Sequence, residues 1–379
     1  MDTSDPDIRF DSAGVCNHCR YADEILPTVS WTPASSEAAL ASITSKIRAA
    51  AAGKEYDSII GLSGGVDSSY TSLVAHRIGL RPLAVHLDNG WDSELAVENI
   101  QRIVEHCGID LVTYVIDWRE FRDLQRSYLQ ASVVDIEMLT DHAILAACVG
   151  LARQHGVRYL LSGSNFATEH GMPGRWMWPN KQDWTNIVAI HRAYGSVPLK
   201  TFPHLPTLRW LALQATGQIR VVPLLNFVPY RRDEAAATLV RELGWREYGG
   251  KHHESLFTKF YQGAILPTKF GIDKRRAHLS DRLRNGELTR AEAVEQLSLP
   301  LYDADELRVE SDYVRKKLGY DEAEWTAILA APPRSHAEFA SDRNVVGPIL
   351  AVARPLRTLR RRMRARAQAR HSEPPNSRP

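Results

Sequence analysis

Cysteine is scarce in this chain, with four residues in 379. That is too few to staple a fold of this size, so a packed core rather than a disulfide framework must hold it together. Long apolar runs are also missing: no stretch approaches the roughly 18 consecutive apolar residues that a membrane-spanning helix needs. The opening Met1-Asp2-Thr3-Ser4-Asp5-Pro6-Asp7 is acidic where an export signal is basic and then apolar. The expectation is a cytoplasmic, non-spanning protein in a reducing compartment. Charge of one sign is lacking too, since 47 Lys and Arg against 45 Asp and Glu leave a formal charge of +2. That balance gives no reason to expect a nucleic-acid partner.

Several phosphate and nucleophile motifs are absent as well. There is no Gly-Lys-Ser/Thr of a γ-phosphoryl-transferring P-loop and no G-x-G-x-x-G of a dinucleotide fold. A built-in glutaminase needs a reactive cysteine at a mature N-terminus or in a nucleophile elbow. Residue 2 is Asp and no Gly-x-Cys-x-Gly occurs, so any ammonia must come from outside the chain.

What is present is alternation. A helical pattern at 37–52 leads to an apolar strand at 58–62, and strands at 82–87, 110–116, 158–162 and 218–224 are separated by helical stretches. Such βαβ spacing predicts an α/β domain with a doubly wound parallel sheet. The predicted organisation is an N-terminal CxxC segment and linker (1–36), an α/β nucleotide-binding domain (37–245), a helical substrate region (246–350) and a basic, partly disordered tail (351–379). The arginine run at 354–370 reads as a solvated face or tail. A Trp, Pro, Gly and His-rich excursion at 171–206 fits either a substrate lid or a packed structural loop. Cys107 and Cys148, in helical stretches, read as small buried hydrophobes.

The strand at 58–62 runs into Ser63-Gly64-Gly65-Val66-Asp67-Ser68-Ser69, which opens a helix. Unpaired N–H groups and the helix dipole make that junction an anion site. Gly64 and Gly65 admit phosphate oxygens close to the backbone, and the Ser63, Ser68 and Ser69 hydroxyls add donors. Asp67 would repel phosphate unless a cation intervenes, which points to Mg²⁺.

With its context, this loop resembles the S-G-G-x-D-S motif of the PP-loop ATP pyrophosphatase superfamily, whose fold is of the adenine nucleotide alpha hydrolase type. The resemblance implies ATP as co-substrate and release of AMP and pyrophosphate. It extends to the end of the second strand, His86-Leu87-Asp88, and to Gly163-Ser164-Asn165-Phe166-Ala167-Thr168-Glu169, which looks like a strand end of NAD synthetase. His86, Asp88, Gly163 and Asn165 are thereby candidate nucleotide contacts and Glu169 a candidate catalytic residue.

Gly14-Val15-Cys16-Asn17-His18-Cys19, the loop at 63–69 and the block from Lys251-His252-His253-Glu254 through Lys269 to Lys274-Arg275-Arg276 together resemble the N-acetyl sugar amidotransferases of surface-polysaccharide biosynthesis. The likeness covers roughly residues 1–330. It implies an AMP-forming C–N ligase that turns the acetamido group of a nucleotide-linked sugar into an acetamidino group, in O-antigen and lipopolysaccharide biosynthesis. The expected partners are a glutaminase subunit and a cyclase-like subunit similar to those of histidine biosynthesis, a UDP-N-acetyl sugar as substrate, and a second copy of the chain. Lys251, Lys269, Lys274, Arg275 and Arg276 are the candidate cations for the departing pyrophosphate alongside Mg²⁺ held by Asp67, with a basic surface stretch the other reading of Lys274 to Arg276 and Lys269 the better candidate.

Cys16 and Cys19 have zinc-knuckle spacing, but one CxxC is half a tetrahedral site. His252 and His253 are the candidates to complete a structural zinc. Two other readings stay open: a tRNA-modifying enzyme of the thiolation type, and an ATP-binding scaffold without turnover.

Overall fold

In the computed structural model the alternating apolar runs become five parallel strands: β1 (Ser58–Gly61), β2 (Pro82–Asp88), β3 (Leu111–Val115), β4 (Tyr159–Ser162) and β5 (Arg220–Pro223). They lie in the order β3-β2-β1-β4-β5. The structure describes residues 1–29, 33–248 and 253–348. Lys251, His252 and the run at 354–370 lie outside them.

In register, Ile59 of β1 sits between Leu83 and Leu160, and Ile60 between Ala84 and Leu161. Because side chains alternate across a strand, neighbouring residues feed opposite cores. Ile59, Leu83 and Val85 pack with Phe121, Leu124, Leu139 and Ala143 of helices α5 (Trp118–Ala131) and α6 (Met138–Gln154). Ile60, Leu62 and Ala84 pack on the other face with Leu73 of α3 (Val66–Arg77), Ile100 and Ile103 of α4 (Glu94–Cys107) and Leu239 of α10 (Arg232–Leu243). Cys107 and Cys148 are buried in these layers.

Two helices precede the sheet, α1 (Asn17–Val29) and α2 (Pro33–Ala50). The short α7 (Phe166–Glu169) follows β4, and α8 (Trp184–Tyr194) and α9 (Thr207–Ala215) lie in the excursion between β4 and β5. Beyond α10 the chain is helical, as expected: α11 (Leu256–Phe260), a π-turn (Tyr261–Ile265), α12 (Leu266–Phe270), α13 (Arg275–Arg284), α14 (Arg290–Ser298), α15 (Ala304–Leu318) and α16 (Glu322–Ala330). Among the described residues no helix is long and apolar enough to cross a membrane.

The Trp-rich excursion is a packed element. Trp176 and Trp178 are buried. The Trp178 backbone N–H donates to the Asp135 carboxylate (2.7 Å), its indole N–H to Asp183 (3.2 Å), and its ring stacks on His336 (4.9 Å between centroids). Acidic groups of α5 hold the return: Glu120 accepts from the backbone N–H groups of Lys200, Thr201 and Phe202, and Asp123 from those of Ser196 and Val197.

His142 of α6 locks the same element. Its Nδ1 faces the Lys181 carbonyl (2.9 Å) and its Nε2 faces the Leu205 backbone N–H (3.0 Å). A carbonyl can only accept and an N–H can only donate, so the ring is neutral with its proton on Nδ1. Burial accordingly pushes the His142 pKa down from 6.5 to about 4. Between those values the unfolded chain binds the extra proton, so stability present above pH 6.5 is lost as pH falls toward 4. A melting-temperature profile should fall over that window in the wild type and fall less in His142→Gln. Parallel profiles would rule out His142 as the titrating group.

Candidate active site

The chain passes outward from β1 to β2 and β3, then returns to place β4 on the other side of β1. Loops diverge at such a switch point and leave a crevice at the carboxyl ends of the strands, where open α/β sheets bind ligands. The loop at 63–69 and the segment at 163–169 flank it. Gly163 shows how closely they approach: a Cβ there would lie 3.0 Å from the Asp67 carbonyl carbon and 3.2 Å from the Ser68 nitrogen.

Within the loop, Gly64 adopts a left-handed φ of 81°, which L side chains rarely tolerate. Its carbonyl accepts from the Trp245 indole N–H (2.9 Å) and the Tyr248 hydroxyl (3.0 Å). Ser63 and Ser68 tie the turn internally: their hydroxyls are 3.2 Å apart, Ser63 Oγ accepts from Gly65 N–H (3.3 Å), and Ser68 Oγ donates to the Gly65 carbonyl (3.2 Å). Ser69, expected among the phosphate donors, is fully buried in the first turns of α3, and its hydroxyl makes no hydrogen bond among the described residues. Asp67 accepts from the Tyr230 hydroxyl, and burial together with that carboxylate lifts the Tyr230 pKa well above its usual range.

A cavity of about 510 Å³ opens beside this loop. Ser63, His86, Ser164 and Glu169 bring the nucleotide half to it. His86 faces two acceptors, the Leu62 carbonyl through Nδ1 and the Asp92 carboxylate through Nε2, both at 3.1 Å. Two acceptors favour the doubly protonated ring. Burial is the largest single influence and opposes that charge, but Asp92, the Leu62 carbonyl and Asp88 together raise the pKa. Glu254 enters from the C-terminal helical region, its carboxylate 3.0 Å from where a Gly65 Cβ would stand.

The far wall is polar and comes from α6, the excursion and the C-terminal helices. Gln262 donates to Glu137 (2.7 Å), and Lys274 pairs with the same carboxylate. Lys181 holds Asp135 at 2.6 Å and Asp141 at 3.2 Å. Trp91 and Phe257, with ring centroids 5.2 Å apart, add an aromatic surface.

Other expected site residues lie elsewhere. Asp88 caps its own turn, accepting from Gly90 N–H (2.8 Å). Asn165 caps α7 by accepting from Thr168 N–H (2.9 Å). Neither lines the cavity. Lys269 does not reach it either: at the end of α12 its ammonium donates to the Ile328 carbonyl. Arg275 and Arg276 pair with Asp273 and Asp2, and of the described cations of that basic block Lys274 lines the cavity.

Among the described residues the expected zinc centre is not assembled, and His252, one of its expected ligands, lies outside them. Cys16 and Cys19 lie 3.5 Å apart at the start of α1, but His18 turns to Asp5 (2.7 Å). His253 sits among Lys259, Glu254, Glu306 and Glu310. Among the described residues no three His, Cys, Asp or Glu side chains are grouped to hold a metal.

The residues fit ATP and Mg²⁺ better. The α3 N-terminus supplies the N–H groups of an anion site, Gly64 and Gly65 let neighbouring groups close on the loop (a Gly64 Cβ would lie 2.7 Å from the Ala96 carbonyl oxygen), and Asp67 is the group that would hold the cation.

Residues 59–165 match the asparagine synthase family model, and residues 254–352 match the C-terminal domain of WbpG-like lipopolysaccharide biosynthesis proteins. No curated protein matches the chain. Among solved structures, the chain is similar to NMN synthetase from Francisella tularensis (15% identity, 77% of this chain and 98% of that one, TM-score 0.39). It is also similar to the NH3-dependent NAD synthetase from Campylobacter jejuni (14% identity, 55% and 91%, TM-score 0.30) and to NAD+ synthetase from Burkholderia pseudomallei (19% identity, 62% and 94%, TM-score 0.28).

Gly163→Ala tests the crevice. The added methyl must displace the Asp67 backbone, so KM for ATP should rise about tenfold or more with an unchanged melting temperature. An unaltered KM would mean that nucleotide does not bind between these loops.

Proposed function

An ATP-using PP-loop domain joined to a WbpG-like C-terminal domain supports an LPS-biosynthesis, PP-loop amidotransferase-like family, and from that premise we propose that the protein converts the acetamido group of a nucleotide-linked sugar into an acetamidino group. One observation carries this reading. The cavity runs from the edge of the phosphate loop at Ser63 to a wall where Glu137, Gln262 and Lys274 offer the acceptors and donors that a sugar requires.

The chemistry balances without further reagents. The amide oxygen attacks the α-phosphorus of ATP, pyrophosphate leaves, and the amide nitrogen gives up its proton, leaving an O-adenylated imidate. Ammonia adds to the imidate carbon, the C–O bond to AMP breaks, and a proton from the added nitrogen is lost. Oxygen has then been replaced by NH.

The chain's own groups serve these steps by fixed charge and position. The N–H groups at the start of α3, with the His86 ring nearby, would face the charge that develops on pyrophosphate. Mg²⁺ held at Asp67 would supply further charge neutralisation there. Glu137 and Gln262 orient the sugar so that its amide oxygen meets the α-phosphorus rather than water. Ammonia is supplied by a glutaminase partner, since no glutaminase cysteine motif exists in the chain.

Incubation with ATP, an ammonium salt and a UDP-N-acetyl sugar should release AMP and yield a sugar in which oxygen is replaced by NH. Glu137→Gln should raise KM for the sugar about tenfold while leaving KM for ATP unchanged. AMP formed only with tRNA would sink the sugar reading in favour of tRNA modification, and no AMP with either substrate would leave a scaffold.

A further inference from the structure

The arginine run near the C-terminus has no part in the chemistry above, and it lies beyond residue 352, where the WbpG-like match ends. Residues 354–370 carry eight arginines and no Asp or Glu, and they turn a remainder of net charge −6 into a chain of +2. Leu356, Leu359 and Met363 recur among them at steps of three and four, the spacing of one helix face. An acidic body with its positive charge concentrated at one end is the pattern of a chain that meets an anionic surface.

The folded surface continues that pattern. From Trp184 to Arg232 the chain has six Lys and Arg and no Asp or Glu, and this stretch supplies α8, α9 and the edge strand β5. Arg192, Lys200, Arg209 and Arg220 are exposed and form no ion pair among the described residues. Elsewhere on the surface Arg77, Arg175, Arg241 and Arg246 each hold a carboxylate. Apolar side chains stand among the free cations: Leu208 is 51% exposed, Val221 39% and Val345 59%. On α9, Ala212 and Ala215 are exposed one and two turns on from Leu208, and Arg209 is the only charged residue of that helix.

These pieces are joined. The Asn180 amide donates to Thr207 at the start of α9 (2.8 Å) and to Asp342 (3.1 Å), which sets the exposed Arg343 and Val345 against that helix end, a few residues before the arginine run. At the other end of α9 the Ile219 N–H donates to the Leu213 carbonyl (3.2 Å) and folds the helix onto β5. There the Arg220 N–H donates to the carbonyl of Arg158 (2.8 Å), whose side chain is also exposed.

We infer that the strip from Val345 along α9 to Arg220, together with the arginine run, docks the protein on an anionic lipid bilayer. The arginines meet headgroup phosphates, while Leu208, Val345 and the apolar residues spaced through the run enter the boundary between headgroups and acyl chains. An apolar face and a polybasic segment each hold a bilayer weakly, and they reinforce one another when they lie side by side. A nucleic acid suits this strip less well, because its exposed apolar side chains are aliphatic and offer no aromatic platform for bases. None of the strip's residues lines the catalytic cavity, so docking leaves that cavity clear. Docking of this kind is independent of which substrate the cavity takes.

Cosedimentation of the full-length protein with lipid vesicles tests this without any turnover. The protein should bind vesicles of phosphatidylcholine mixed with phosphatidylglycerol at least about tenfold more tightly than phosphatidylcholine alone, and added salt should weaken that binding. Replacing four arginines of the run together (Arg357→Gln, Arg360→Gln, Arg361→Gln and Arg364→Gln) should lower the affinity about a hundredfold. The pair Leu208→Ser and Arg209→Glu, on an exposed helix face, should lower it about tenfold with an unchanged melting temperature. No binding by the wild type, equal binding to the two kinds of vesicle, or an unchanged affinity in the folded α9 variant would each overturn the proposal. Tighter binding to a short single-stranded RNA than to the mixed vesicles at the same salt would overturn it as well.

Discussion

The Gly64 carbonyl is the point on which the site hangs. Phosphate loops work because their N–H groups face outward, which obliges the carbonyls to face in, where each must find a donor. Here two aromatic side chains from a single stretch beyond α10, Trp245 and Tyr248, meet that one oxygen. The loop, the end of the nucleotide domain and the approach to the C-terminal region are thus fixed to one another by an interaction between neutral groups, largely insensitive to salt. The anion cradle is preorganised before any anion arrives.

Charge on the remaining walls follows the same rule of pairing before use. His86 is matched by Asp92, Lys274 by Glu137, and Lys181 by Asp135 and Asp141. Unpaired charges in a cavity of this kind would be expensive to desolvate. Paired ones keep a mixed polar surface suited to a ligand with both hydroxyls and phosphates, and each carboxylate retains capacity to accept from a sugar.

Much of the fold was legible because strands and helices announce themselves by period. β1 to β5 and α3 to α6 fall within a few residues of where the apolar spacing puts them. The anion loop was legible because glycine and serine carry their chemistry locally. Asp88 and Asn165 cap turns here, a use that the same side chains share with ligand contact and that only geometry tells apart. Lys269 satisfies its ammonium on a nearby carbonyl, which a mixed apolar segment does not announce. Tyr230, Trp245 and the Glu137 cluster could not be found from sequence, since their partners lie more than a hundred residues away and no motif links them. Cys16 and Cys19 carry a ligand spacing, but a coordination sphere is a three-dimensional property that two residues do not determine.

The cavity's two ends are owned by different parts of the chain. The anion loop and its supports come from 58–92, 163–169 and 230–248, whereas the sugar-sized wall draws on 135–141, the excursion at 172–181 and 254–281. The two sets are fastened along a seam: Asp92 bridges Ser255, Ser93 N–H donates to the Glu254 carbonyl, Leu256 N–H donates to the Trp91 carbonyl, and α7 packs against α13. On the proposed reading, a change of sugar would therefore have to be made together with compensating changes along this seam, because the wall that meets the sugar and the loop that meets ATP share backbone hydrogen bonds.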